Sequence, residues 1–85
     1  MGNVALIIRI MPESPEVDLD DLKSRIKAAI VGLHEIREEP IGFGLKALKA
    51  AVVVSDAGGE SDAVEARING LEGVERAEIV ELTLT

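Results

Sequence analysis

Few side chains in this sequence could carry out acid–base or ligand chemistry, and they do not assemble into a catalytic arrangement. His34 is the single histidine, with no serine or cysteine beside it to activate. It is read as a surface or edge histidine rather than a general base. Cysteine is absent. That removes disulfides, thiolate ligands and cysteine nucleophiles, and one histidine alone makes a poor transition-metal set. Glu38 and Glu39 could form an acid/base pair, but neighbours on a strand point to opposite faces and do not converge. Gly42-Phe43-Gly44 and Gly58-Gly59 lack the glycine spacing of phosphate-cradling loops. Hydrolysis of a small phosphate ester would call for an anion-binding arginine after the first strand. The residues there are Pro12-Glu13-Ser14-Pro15, which are acidic. No enzyme activity, cofactor or metal is expected.

What remains is Phe43, the only aromatic residue, in Glu38-Glu39-Pro40-Ile41-Gly42-Phe43-Gly44-Leu45-Lys46. A chain with 1% aromatic residues would be expected to spend its one ring on the core. Here glycines flank the ring, and turns built from such residues lie on the surface. Phe43 is either a plug for a pocket on another molecule or a cap that folds back on one edge of its own core.

The elements that must hold this loop follow from periodicity. Val4, Leu6, Ile8 and Ile10 share one side of an extended segment, and Ala5, Ile7, Arg9 and Met11 the other. This predicts a central strand, ended by Pro12 and Pro15. Leu19, Leu22, Ile26 and Ile30 recur at helical spacing, with Asp18 as N-cap and Gly32 as the stop. Leu33 to Glu39 predicts a short polar edge strand, and the Phe43 loop follows. Lys46 to Ser55 is ambiguous by spacing, but the β-branched run Val52-Val53-Val54 favours a strand. A turn is expected at Asp56-Ala57-Gly58-Gly59. A second helix capped by Ser61 turns Val64, Ile68 and Leu71 inward and stops at Gly70. The last strand runs from Gly73-Val74 to about Leu84, with a change of phase near Ile79-Val80 that predicts a bulge. The order βαββαβ predicts an α+β, ferredoxin-like sandwich with a four-stranded antiparallel sheet and both helices on one face.

Length and charge bound the partners. Eighty-five residues make one domain, 1–85, which buries roughly 60–65% of its unfolded surface and spares little room for a deep cavity. The formal charge is −7, which repels phosphate backbones and argues against direct nucleic-acid binding. The Lys23-Arg25-Lys27 spacing spreads charge around a helix and is read as a solvated surface. No apolar run approaches a membrane span. No residue pattern fixes an oligomeric state.

Pro40-Ile41-Gly42-Phe43-Gly44-Leu45-Lys46-Ala47-Leu48 resembles the central signature of the translation elongation factor 1-beta family. Val4 to Met11, Pro12-Glu13-Ser14-Pro15 and Val17-Asp18-Leu19 are similar to its short archaeal members, which consist of the exchange domain alone. The resemblance covers the whole chain in order and length. It implies a cytoplasmic guanine-nucleotide exchange factor for elongation factor 1-alpha, a GTPase that delivers aminoacyl-tRNA. It also implies that the loop aromatic, Phe43 here, inserts into that GTPase. Pro40, Ile41, Gly42, Gly44, Leu45 and Lys46 complete the implied contact. Eukaryotic members carry a lysine beside the last residue, reaching toward the magnesium site. This sequence reads Glu81-Leu82-Thr83-Leu84-Thr85 there, so that role is not carried over. The alternative from fold class alone is a ferredoxin-like regulatory domain that senses a small molecule at the loop after the first strand.

Overall fold

Asn3–Pro12 forms β1, and its alternation sets the architecture. Val4, Leu6, Ile8 and Ile10 are buried beneath the helices, while Ala5, Ile7, Arg9 and Met11 are half-buried on the other face. In the computed structural model, which describes residues 2–42, 44–55 and 60–84, β1 pairs antiparallel on both sides. Its neighbours are β3 (Leu45–Ser55) and β4 (Val74–Leu84). β2 (Leu33–Gly42) lies outside β3, giving the order β2-β3-β1-β4. Helices α1 (Leu19–Ala29) and α2 (Glu60–Asn69) complete the βαββαβ sequence of a ferredoxin-like α+β fold. The core joins Leu22 and Ile26 of α1, Ile30 just past its end and Ile68 of α2 to Leu6, Ile8, Leu48 and Val52 of the sheet. The expected turn over 56–59 lies outside the described residues.

α1 starts where expected. The Asp18 carboxylate accepts the backbone N–H groups of Asp20 (3.0 Å) and Asp21 (3.2 Å), satisfying two donors the first turn leaves free. The helix ends earlier than the sequence expectation: Ile30 is its C-cap in an extended conformation, so Gly32 lies in the turn beyond the helix and is not its stop. Gly32 takes φ +91°, and its carbonyl accepts the Val53 N–H at 2.9 Å. α2 differs from the sequence expectation. It begins at Glu60, so Ser61 sits inside the first turn and is not the cap. The Glu60 carboxylate reaches back to accept the Ser55 N–H at 2.9 Å, tying the helix start to the end of β3. Its charge also suits the positive end of the helix dipole.

The phase change expected in β4 is present. Ile7 faces Glu81, but Ile8 faces Ile79, so Val80 is an extra residue on β4. The outer edge of β4 is covered in part by α2. Asn69 donates its amide to the Ala77 carbonyl (3.0 Å) and accepts the Ala77 N–H (2.8 Å). Glu65 accepts the Ile79 N–H at 3.0 Å. Two helix side chains thus take the place of a fifth strand at a row of groups that would otherwise template association.

The sheet face away from the helices is charged but balanced. By register, Arg9, Arg37, Lys49 and Arg76 share it with Glu35, Glu39, Glu78 and Glu81. The side chains pair locally: Arg37 with Glu35, Arg76 with Glu78, and Arg9 and Lys49 with Glu39.

Candidate functional site

Pro40, Ile41, Gly42, Leu45 and Lys46, singled out by the sequence, lie on one two-stranded arm. β1 accompanies β3 only as far as the Ile10–Leu48 pair. β2 and β3 continue pairing beyond it, through Glu39–Ala47 and Pro40–Lys46 to Gly42–Leu45. Pro40, Ile41 and Gly42 therefore belong to β2, which runs three residues past the end expected at Glu39. The proline does not stop it because β2 is an edge strand: one side of its backbone has no partner, and a missing N–H on that side breaks no ladder bond. Leu45 and Lys46 open β3, one residue earlier than expected.

At the tip, Gly42 has φ +105° and Gly44 φ +76°, conformations that side-chain-bearing residues rarely adopt. An added Cβ at either position would meet nothing within 4 Å. The glycines are thus required by backbone direction, and the space around them is open. Phe43, between them, lies outside the described residues. Ile41 is 37% exposed, and Leu45 is half-buried.

The β1–α1 connection flanks the arm. A cleft of about 270 Å³ lies between Pro12, Pro15, Val17 and Leu19 on one wall and Gly44 and Lys46 on the other. A second, of about 220 Å³, is bordered by Met11, Pro12, Glu75, Ile41 and Leu45. These prolines were legible as a strand stop, but their place beside the arm was not. A larger cleft, about 400 Å³, lies at the other end of β3, among Ile30, Val31, Val53, Val54, Val64 and Arg67. None of the residues from Pro40 to Lys46 lines it.

The root of the arm is electrostatically anchored. Glu38 and Glu39 point to opposite faces, as alternation requires. Glu38 accepts a hydrogen bond from the Lys23 ammonium of α1 at 3.0 Å and lies 3.5 Å from Lys46. Glu39 contacts Arg9 of β1 at 3.3 Å and Lys49 of β3 at 3.6 Å. The hydrogen bond from Lys23, then its charge, holds the Glu38 carboxyl below the usual carboxylate range. Reciprocally, hydrogen bonds to Glu38 and Asp20 push the Lys23 ammonium above its ordinary value. Lys23 and Arg25 are therefore more than a solvated helix surface. Arg25 pairs with Asp21 and donates to the Glu72 carbonyl, and the Asp21 bond raises its affinity for the proton.

His34 is exposed beside a register shift on the edge strand β2. Among the described residues, no group of three or more His, Asp or Glu side chains is placed to hold a metal ion. No helix among them is long and apolar enough to cross a membrane.

Comparison with known proteins converges on one group. The family described as the EF-1 guanine nucleotide exchange domain matches residues 5–84. An elongation factor 1-beta of Methanosphaerula palustris is 62% identical over 85 residues, covering 100% of both chains. One of Methanoregula boonei is 61% identical over 84 residues, 99% of each. One of Methanothermobacter thermautotrophicus is 48% identical over 85 residues, 96% of each.

Proposed function

Because the chain belongs to the elongation factor 1 guanine-nucleotide exchange family, we propose that it serves translation elongation by releasing GDP from elongation factor 1-alpha and allowing GTP to reload. Residues 1–85 act as a single exchange domain in the cytoplasm, through protein binding and without bond-making. The observation that carries this reading is the glycine-bounded arm running past the last strand pair of β1. Pro40, Ile41, Gly42, Phe43, Gly44, Leu45 and Lys46 form the contact.

Exchange follows from linkage. A protein that binds the nucleotide-free GTPase more tightly than the GDP-bound form must weaken GDP binding by the same factor. Phe43 supplies the anchor. Burying one phenyl ring on a partner is worth about 1.5–3 kcal/mol, equivalent to roughly ten- to a hundred-fold in affinity. Pro40 limits the conformations of the approach to the tip and lowers the ordering cost of docking. The acidic loop Pro12-Glu13-Ser14-Pro15 beside the arm suits a basic surface.

The test is release of labelled GDP from elongation factor 1-alpha on adding catalytic amounts of this protein. Acceleration is expected, and Phe43→Ala should reduce it about ten- to a hundred-fold while leaving the thermal midpoint nearly unchanged. No acceleration over a range of magnesium concentrations would reject the function. Equal loss of activity and stability in Phe43→Ala would make the ring a part of its own core.

A further inference from the structure

We propose that Glu38 is a positioning residue: through Lys23 of α1 it fixes the tilt of the β2–β3 arm at the point where the third strand ends, and so presents the tip for docking. The inference rests on the exchange reading above and extends it to residues outside the contact.

The pairing shows where the arm can hinge. Leu48 faces both Ile10 of β1 and Glu38 of β2, so this is the last rung shared by the three strands. The next rung outward, Glu39–Ala47, belongs to β2 and β3 alone. A two-stranded ribbon is marginal without further support. The two carboxylates at this boundary are tied to the body on opposite sides. Glu39 is held to Arg9 of the central strand at 3.3 Å. Glu38 is held to Lys23 at 3.0 Å, and Lys23 is itself steadied by Asp20, one helical turn back, at 3.3 Å. Lys23 bridges from the helical layer, which the buried Leu22 and Ile26 fasten to the sheet. Lys46, 3.5 Å from Glu38, brings the outgoing strand into the same cluster.

Partly exposed ion pairs contribute little to global stability. At a hinge the same small energy acts on one degree of freedom, the angle of the arm. Loss of the tether therefore leaves the fold intact and widens the range of tip orientations. Only a fraction of these is competent to dock, and apparent affinity falls by that fraction.

The experiment compares the parent with Lys23→Met, Glu38→Gln and the double variant. Lys27→Met serves as a control that removes a charge from the same helix without touching the arm. Backbone dynamics are read from ¹⁵N relaxation at Gly42 and Gly44 in the isolated protein, and exchange from labelled-GDP release. Both single variants should increase motion at the two glycine amides. They should raise the concentration needed for half-maximal exchange about three-fold, and leave the maximal rate and the thermal midpoint close to those of the parent. The double variant should lose clearly less than the sum of the two single ones, because both remove the Lys23–Glu38 contact. Unchanged relaxation at the tip, additive losses, or an equal effect from Lys27→Met would overturn the inference. If the parent itself fails to accelerate release, the exchange reading falls, and the relaxation data still decide whether the tether orders the arm.

Discussion

Gly32 and Gly42 both hold positive φ, at +91° and +105°, yet alanine at the two positions should have opposite consequences. A side chain in this region costs about 1–2 kcal/mol of backbone strain. At Gly42 that is the whole penalty, because the new Cβ meets nothing within 4 Å. At Gly32 the Cβ would overlap the Val53 carbonyl oxygen. The backbone there is also pinned by the 2.9 Å hydrogen bond from the Val53 N–H to the Gly32 carbonyl. Relieving the overlap disturbs that bond, worth about 1 kcal/mol, so Gly32→Ala should cost about 2–3 kcal/mol in all. With an unfolding entropy of about 2.1 cal/mol/K per residue, that lowers the midpoint by roughly 11–17 °C. Gly42→Ala strains only the two-stranded arm, which can distort locally without unfolding the sheet. Its midpoint should fall by about 3 °C or less, while exchange drops on the order of ten-fold, the equivalent of 1.4 kcal/mol spent on restoring the tip. Thermal unfolding followed by circular dichroism gives the first quantity. GDP release per folded molecule, measured well below both midpoints, gives the second. If Gly42→Ala melted as early as Gly32→Ala, or exchanged as fast as the parent, the separation of arm from body would be wrong.

Asn69→Ala removes both bonds to the Ala77 backbone and should cost about 2 kcal/mol, roughly 10 °C in the midpoint. It also bares the β4 edge, so light scattering should show more self-association than in the parent; an unaltered midpoint would contradict the edge-covering role. The Lys23–Glu38 pair gives a signed pH dependence. Because the Glu38 carboxyl is lowered in the folded state, its stabilisation is complete above the unfolded carboxylate range and is lost as pH falls through the folded value. Lys23 is raised, so its share persists below the ordinary lysine range and fades as pH rises through the folded value. Motion at the Gly42 and Gly44 amides of the parent and of Glu38→Gln should thus differ at neutral pH and converge in acid; a constant gap down to the acid limit would refute the assignment.

The elements legible in the sequence were those set by local alternation. β1 is apolar on both sides because it is flanked by β3 and β4. Val52-Val53-Val54 resolved β3 as a strand, and the broken alternation at Ile79-Val80 marked the bulge. Contacts between distant residues were not legible. Ser61 has the chemistry of a cap, but α2 already starts at Glu60, whose bond to the Ser55 N–H local propensity does not encode. Pro40 reads as a breaker until β2 is known to be an edge with a free side. Asn69 reads as a helix terminus, and its grip on Ala77 depends on how α2 lies over β4. At the site, the glycines and the ring stood out by composition. The anchoring of the arm by Lys23 and Arg9 depended on partners 15 and 30 residues away.

The balance of charge on the helix-free face has a consequence for encounter. Four cations and four carboxylates cancel there, so the chain's −7 resides on the helical side, the loops and the remaining rim. The molecule is electrically lopsided. A positively charged body drifting in from solution feels a torque that turns the helical side and its acidic loop toward it before any atoms touch. Added salt shortens the reach of that pull to about 8 Å at physiological strength, and should therefore slow arrival more than it hastens departure.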